Sequence, residues 1–384
     1  MPLSQLKSPE DLERFLDENE GLDVKDLVPL PYPYQDWEDE PIPALTEEQR
    51  GRYEVGPDGV SATLTPVPQT EEEREKKVAA FLEGLGKLLT KENNWTFLQP
   101  LLLSLENCVK CQTCSESCPI YTESGRPEEY RPTFRPEVLR KIINRHIKPG
   151  GRFFPKLRGN DVELSWESIV QLAELSYRCT LCRRCAQACP VGVDNALITR
   201  EIRKLFSQEL GIHMPELHDV GTVKQLKTGS STGLNPAGVK DIAEFAEDDI
   251  REKTGLDIKI PFDVEGADYL ILHNAGEFLS WPENLQAFAI VLSLAGVNWT
   301  MASDKLGYDS VNYGLFYDDV QLARIALKHY EVAKKLKAKR ILMGECGHAH
   351  KATMPVAARA LPQELHVPSE SAMVLLEDLV VNEK

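Results

Sequence analysis

Eight of the nine cysteines in this chain of 384 residues fall into two copies of one pattern. They are Cys108-x2-Cys111-x2-Cys114-x3-Cys118-Pro119 and Cys179-x2-Cys182-x2-Cys185-x3-Cys189-Pro190. Thiolates at this spacing suit a pair of cubane [4Fe–4S] clusters. Three on one tight loop cap three irons of one cube, and the fourth, carried away by the turn at proline, reaches the other. The pattern assigns Cys108, Cys111, Cys114 and Cys189 to one cluster and Cys179, Cys182, Cys185 and Cys118 to the second. Cys-x2-Cys pairs also suit tetrahedral zinc, but zinc needs neither the third cysteine nor the x3-Cys-Pro end, and both occur twice. The pattern predicts a chain that carries electrons.

The ninth cysteine, Cys346, lies in Gly344-Glu-Cys-Gly-His-Ala-His350, directly after the apolar run Ile341-Leu-Met343. Ligands of open α/β sheets bind at the carboxyl ends of strands. A thiol there, between Gly344 and Gly347 and near His348, reads as a metal ligand or redox thiol, or else as a small buried hydrophobe. His348 and His350 alternate, so an extended backbone would put them on one side. Cys346, His348 and His350 stand too close in sequence for a usual zinc site, which favours the histidines as loop-fixing or proton-relay groups, or as incidental.

The elements that must hold these residues can be read from periodicity. Residues 1–95 form an acidic extension with helices: Ser8-Pro9-Glu10-Asp11 is a helix start, and Leu27 to Glu48 is a Pro- and aromatic-rich strap or tail. Thr70-x-x-Glu73 opens a helix to about Leu89. Residues 96–225 read as a helical two-cluster domain of ferredoxin-like character, with a helix from Arg135 to His146, one capped by Ser165 and one after Asn195. The stretch between the motifs is locally basic: Arg126, Arg131, Arg135, Arg140, Lys141, Arg145, Lys148, Arg152, Lys156 and Arg158. Such a patch suits a docking face, a solvated face or an offset to cluster charge.

Residues 226–265 read as a linker, opened by the turn-rich Gly229–Pro236. Residues 266–384 then alternate short apolar runs with helical periods. Strands are expected at Tyr269–Leu272, Trp299–Met301, Arg340–Met343 and Glu364–Val367. Helices are expected at Pro282–Leu294 and Leu322–Leu336, through Ala357 and Ala358, and from Ser371. The fold class is therefore α+β and multidomain, a helical cluster domain followed by a parallel α/β sheet.

The formal charge of −16 argues against nucleic acid as a general partner. Cysteines in ligand spacing point to a reducing compartment. The start MPLSQLKSPEDLERF has neither an apolar core nor twin arginines, so no secretory leader is expected. A membrane span needs ~20 apolar residues, and no such run occurs. Neither GxGxxG nor a Walker loop is present, so neither flavin nor nucleotide is expected on this chain.

Two such cysteine motifs around a helical insertion, followed by an α/β region with a strand–Gly-Glu-Cys-Gly-His loop, resemble the heterodisulfide-reductase D-type family. Within it, the DsrK-like subunits of sulfite-reduction membrane complexes are the nearest likeness. The double motif alone is shared with iron–sulfur subunits of anaerobic glycerol-3-phosphate dehydrogenase and glycolate oxidase. The resemblance implies a Cys-Cys-Gly region that binds a third, non-standard [4Fe–4S] cluster reducing a disulfide or trisulfide, with Cys346 as its first ligand and His348 beside it. Here no Cys-Cys-Gly occurs and no cysteine follows Cys346, so the expectation is an incomplete catalytic site. The missing ligands would come from another polypeptide or a longer chain, or the site is lost. The partners implied are a haem-bearing, quinone-reactive membrane subunit, other electron-transfer subunits, and a DsrC-like sulfur carrier or small disulfide. Location would be cytoplasmic, peripheral to the membrane through those subunits. The alternatives are an iron–sulfur subunit of a glycerol-3-phosphate or 2-hydroxy-acid dehydrogenase, and a non-catalytic electron relay.

Overall fold

Thr70 starts a helix as its sequence requires. Its hydroxyl accepts from the Glu73 amide at 3.2 Å, and three glutamates fill the first turn of α1 (Glu71–Leu88). The computed structural model describes residues 62–382, apart from 64, 66, 152, 154–158, 163, 345 and 354–362. The features expected at Ser8–Asp11, over 27–48 and at Ala357 and Ala358 lie outside the described residues, as do Arg152, Lys156 and Arg158.

Helix α2 (Leu98–Asn107) delivers the chain to Cys108, and α3 (Pro119–Glu123) starts directly after Cys118. Helix α4 (Phe134–Ile142) gives way to a π turn over Ile143–Ile147, so the helix expected to His146 changes its hydrogen bonding part-way. Ser165 and Ser168 form a reciprocal capping box at α5 (Trp166–Tyr177). The short α6 (Arg184–Gln187) lies within the second motif, and α7 (Asn195–Leu205) follows it, running into a π turn over Phe206–Leu210. The apolar stripes of these helices meet in one core built on Phe81, Leu101, Leu139, Trp166, Ile198 and Phe206. Glu174, fully buried on α5, accepts the Ala62 and Thr63 amides at 2.6 and 3.0 Å and fastens the chain ahead of α1 to this core.

Beyond a π turn over Glu216–Val223 come α8 (Lys224–Thr228) and α9 (Pro236–Thr254). Residues 236–254, expected as part of a linker, form a helix instead. Asn235 caps it, Pro236 fits the first turn, and Val239, Ala243, Ala246 and Ile250 recur on one buried face. The sheet then assembles from β1 (Tyr269–Leu272), β2 (Trp299–Thr300), β3 (Arg340–Met343) and β4 (Ser369–Ser371). Between them lie α10 (Ala275–Leu279), α11 (Pro282–Leu294), α12 (Asp319–Lys335) and α13 (Gly347–Ala352), with α14 (Ala372–Val381) at the end. The final strand is thus Ser369–Ser371, and the expected one at Glu364–Val367 is a correction: Gln363–Leu365 is a 3₁₀ turn.

Among the described residues all strand pairings are parallel, in the order β2-β1-β3-β4, with Leu270 opposite Ile341 and Leu272 opposite Met343. Side chains alternate between two cores. Leu270, Leu272, Ile341 and Met343 pack on α12, while Ile271 and Leu342 face the core shared with α9, α11 and α14. Burial on both faces explains why β1 and β3 read as unbroken apolar runs. The connection leaving β1 goes to β2 on one side, and that leaving β3 goes to β4 on the other. The crevice at the carboxyl ends of β1 and β3 is therefore the switch point where such sheets bind ligands.

Candidate metal centres

The two cysteine loops follow the same backbone path. Lys110 and Gln112 have φ of 58° and 65°, and their counterparts Leu181 and Arg183 have 55° and 61°. A left-handed step costs a non-glycine residue roughly 1–2 kcal/mol. Such steps turn successive amides inward into anion-receiving nests of the kind found at iron–sulfur sites. The amides of Leu181 and Val193 donate to the sulfurs of Cys179 and Cys189 at 3.4 and 3.3 Å.

Cys108, Cys111, Cys114 and Cys189 line one cavity, and Cys118, Cys179, Cys182 and Cys185 line another. Each cavity thus gathers three sulfurs from one motif and the fourth from the other. No three of these sulfurs lie within 4.8 Å of one another among the described residues. One tetrahedral zinc with bonds of about 2.3 Å would bring its sulfurs to about 3.8 Å. The wider spread suits ligands at the corners of a cube. Burial pushes the Cys114 thiol up to about 11, with Cys108 adding to it, and burial with Cys179 pushes Cys185 up to about 12. Each cavity thus holds one buried thiol whose ionisation a cationic centre, as an iron–sulfur cube supplies, would favour.

The start of α7 separates the cavities. Ala196 packs against both Cys114 and Cys185, and Asn195 Nδ2 donates to Cys114 Sγ at 3.7 Å. Asp194 caps the helix through the Leu197 amide at 2.9 Å and receives Arg183 Nε at 2.7 Å. The positive end of α7 therefore faces the sulfur-rich region.

Cys346 lies at the carboxyl end of β3, where the switch point requires, half-buried against the β3–α12 core. A Cβ on Gly344 would lie 2.7 Å from Glu277 Oε1, so glycine there lets the turns after β1 and β3 close on each other. His348 Nε2 donates to the Asn312 carbonyl at 2.9 Å, and its ring lies 4.3 Å from that of Phe316. Burial lowers its pKa, which keeps the imidazole neutral. Residues 347–352 are helical, so His348 and His350 do not share a side as an extended loop would have them do. The structure does not bring Cys346 into either cysteine cavity.

Residues 104–193 match the family described as a 4Fe-4S dicluster domain. The chain carries two [4Fe–4S] clusters. It is 26% identical over 276 residues to the Hdr-like menaquinol oxidoreductase iron-sulfur subunit 2 of Archaeoglobus fulgidus, covering 70% of this chain and 47% of that protein. It is 22% identical over 294 residues to one subunit of the dihydromethanophenazine:CoB–CoM heterodisulfide reductase of Methanosarcina barkeri, covering 74% of this chain and 66% of that one. The chain is a relative of the Hdr-like iron–sulfur subunits. It spans about half the length of the Archaeoglobus relatives it matches. The probable glycolate oxidase iron-sulfur subunit of Bacillus subtilis is 32% identical over 124 residues, covering 32% of this chain and 22% of that protein. No solved structure matches.

This Hdr-like chain also uses residues that its sequence does not flag. Arg203, buried on α7, donates to the carbonyls of Cys179 and Ser176 and sits 4.6 Å over the Tyr177 ring. Its Nη1 reaches the Phe316 carbonyl at 3.3 Å, and Arg200 Nε reaches that of Leu315 at 3.0 Å. Helix α7 is thereby bonded to the segment on which His348 rests. Among the described residues of the expected basic patch, four arginines are ion-paired: Arg126 with Glu116, Arg131 with Glu128, Arg140 with Glu137 and Arg145 with Asp161. Arg135 is buried, lines the second cavity and donates to Thr199 at 3.1 Å. Two of these pairs, Arg131–Glu128 and Arg140–Glu137, are local, three residues apart, and the other two are brought together by the fold. Among the described residues no helix is long and apolar enough to cross a membrane.

Proposed function

We propose that Cys108, Cys111, Cys114 and Cys189 hold one cluster and Cys118, Cys179, Cys182 and Cys185 the other, in a helical cluster domain over 96–225. Bound there, the clusters supply one-electron transfer. The residues of the chain fix their separation through Ala196, donate to their sulfurs, and link the second motif through Arg203 to the segment beneath His348. The α/β region over 266–384 is read as the terminal side, with Cys346 as redox thiol, or as a third cluster's ligand completed by sulfurs from outside this sequence. The reaction is reduction of a disulfide or trisulfide, on a small heterodisulfide or a DsrC-like carrier, with electrons from a quinol-oxidising, haem-bearing membrane subunit that also holds this chain at the cytoplasmic face.

The observation that carries the reading is the crossing of the quartets, beside Cys346 at the sheet's switch point. The naming of menaquinol and CoB–CoM heterodisulfide among its relatives supports the two ends. In reduced protein, Cys189→Ala should perturb the paramagnetic centre that Cys108→Ala perturbs, and Cys118→Ala the one that Cys182→Ala perturbs. If Cys189→Ala disturbed the Cys182 centre instead, the crossed assignment falls. In the assembled complex Cys346→Ala should leave both signals and abolish disulfide reduction; retained activity would reduce Cys346 to packing.

The glycolate oxidase likeness favours one second reading, a subunit beside a flavin chain. Co-purification with an FAD-binding subunit in place of haem proteins would decide for it. About eight irons per chain would mark a relay alone, and about twelve a complete third cluster.

A further inference from the structure

Away from the cysteine loops, three ligand-type side chains converge where nothing described above uses them. His213 lies in the turn after Phe206–Leu210, and His218 and Asp219 lie on the π turn over Glu216–Val223. Their ligand atoms all fall within 4.8 Å of one another, the one such group among the described residues. The two imidazole rings lie with centroids 3.8 Å apart, their planes tilted by 34°. Gly211, with φ of 66°, ends the preceding segment, and fully buried Ile212 pins the chain immediately before His213.

The arrangement has the features of a built site. His218 Nδ1 is engaged by the Tyr317 hydroxyl at 2.9 Å, which fixes the ring and leaves Nε2 as the atom available to a cation. Tyr317 is fully buried, so the support is rigid. Metal-bound histidines characteristically have their second nitrogen held in this way. Asp219 is exposed and forms no ion pair among the described residues, so its carboxylate is free to ligate. Two imidazole nitrogens and one carboxylate oxygen are a borderline donor set that suits zinc and its first-row neighbours, and three protein ligands leave a coordination position open.

We propose that His213, His218 and Asp219 form a mononuclear divalent transition-metal site, of zinc class, whose fourth position faces solvent beside Asp219. The site is independent of the cysteine cavities and stands whether or not the electron route proposed above is correct. Its open position gives it Lewis-acid character and a place for an exogenous ligand such as water or a carboxylate.

The test uses the full chain with both clusters loaded anaerobically. Zinc is titrated calorimetrically, and zinc and iron are then measured in the gel-filtered protein. The parent should hold one zinc per chain without losing iron. Asp219→Asn and His213→Gln should each weaken zinc binding at least tenfold with iron unchanged, and Tyr317→Phe should weaken it about 10- to 100-fold. No zinc uptake by the parent, or equal uptake by Asp219→Asn and His213→Gln, overturns the assignment. Both substitutions are at half-buried or exposed positions, and retained iron reports that each variant is folded.

Discussion

Replacing Asp319 with Asn removes one charge from a group of four that is sealed from water. Arg200, Glu201 and Lys204 on α7 and Asp319 at the start of α12 expose 5%, 0%, 2% and 2% of their side chains. Lys204 Nζ lies 2.7 Å from Asp319 and 3.1 Å from Glu201, and Arg200 lies 2.9 Å from Glu201 and also pairs with Asp319. Thr96 donates to the same carboxylate, and Asn94 donates to Glu201 at 2.9 Å. Two cations balance two anions. Burial alone would push the Asp319 carboxyl up, but Arg200 and Lys204 outweigh it and hold the pKa below its ordinary 3.8. A depressed carboxyl contributes stability above that value and loses it as pH falls through the folded value.

The Asn variant leaves one positive charge uncompensated in the interior, at a cost of about 3–5 kcal/mol. At about 1.4 kcal/mol per factor of ten, amide exchange in α7 and α12 should accelerate by roughly two to three and a half decades. Native-state hydrogen exchange on the cluster-loaded chain reads this directly, without requiring reversible unfolding. Adding Lys204→Met restores neutrality and should recover most of the loss. An Asp319→Asn chain whose α7 amides exchange less than about fivefold faster, a cost under about 1 kcal/mol, would show that water reaches the group and refute the reasoning.

Three further outcomes follow from particular contacts. Gly314→Ala should destabilise the fold by about 1–3 kcal/mol in thermal unfolding, because the new Cβ would meet the Leu322 backbone nitrogen at 2.2 Å. His329 is fully buried, which lowers its pKa from 6.5 to about 4. The unfolded chain therefore binds a proton first, and stability should fall as pH drops from 6.5 towards 4, by about 1.4 kcal/mol per pH unit and about 3 kcal/mol in all. His329→Gln should flatten that limb of the thermal midpoint against pH. Asn195→Leu removes the 3.7 Å donor to Cys114, so one centre should shift to lower potential in a redox titration while the other stays put.

Where local chemistry and long-range packing agree, the sequence is sufficient. Thr70, Ser165 and Ser371 cap helices as their side chains direct, and β1 and β3 are apolar because both faces are covered. The last strand is illegible for the opposite reason. Ser369-Glu370-Ser371 has no apolar run, lies at the sheet edge, and is specified by the Ile341 amide bonding to the Pro368 carbonyl at 2.8 Å and by Arg340 meeting Glu370 at 2.7 Å. Leu365-His-Val367 looks more like a strand, but only the backbone ladder chooses between such neighbours. Helix α9 is legible in Asn235-Pro236 and its apolar period, although the turn signals just ahead of it mimic a linker.

The cysteine quartets show how far spacing can go. The motif states that its fourth cysteine leaves the loop, because Pro119 starts a new helix directly after Cys118. It does not state what lies between the two loops. That is α7, whose first residues lie between them and whose charged later turns look like an ordinary solvated face. Arg200, Glu201, Arg203 and Lys204 are instead buried, each satisfied by groups brought from residues 94–96, 176–179 and 314–319. A helix this polar can be buried only beside such partners, and of these segments only 314–319 belongs to the sheet half. Helix α7 is therefore tied in part to the α/β region. Loosening Asp319 should consequently disturb the magnetic coupling between centres before it disturbs either centre alone. Reduced Asp319→Asn protein should show an altered interaction pattern with both signals retained; loss of one signal with the interaction otherwise intact would argue that the joint and the metal centres are independent.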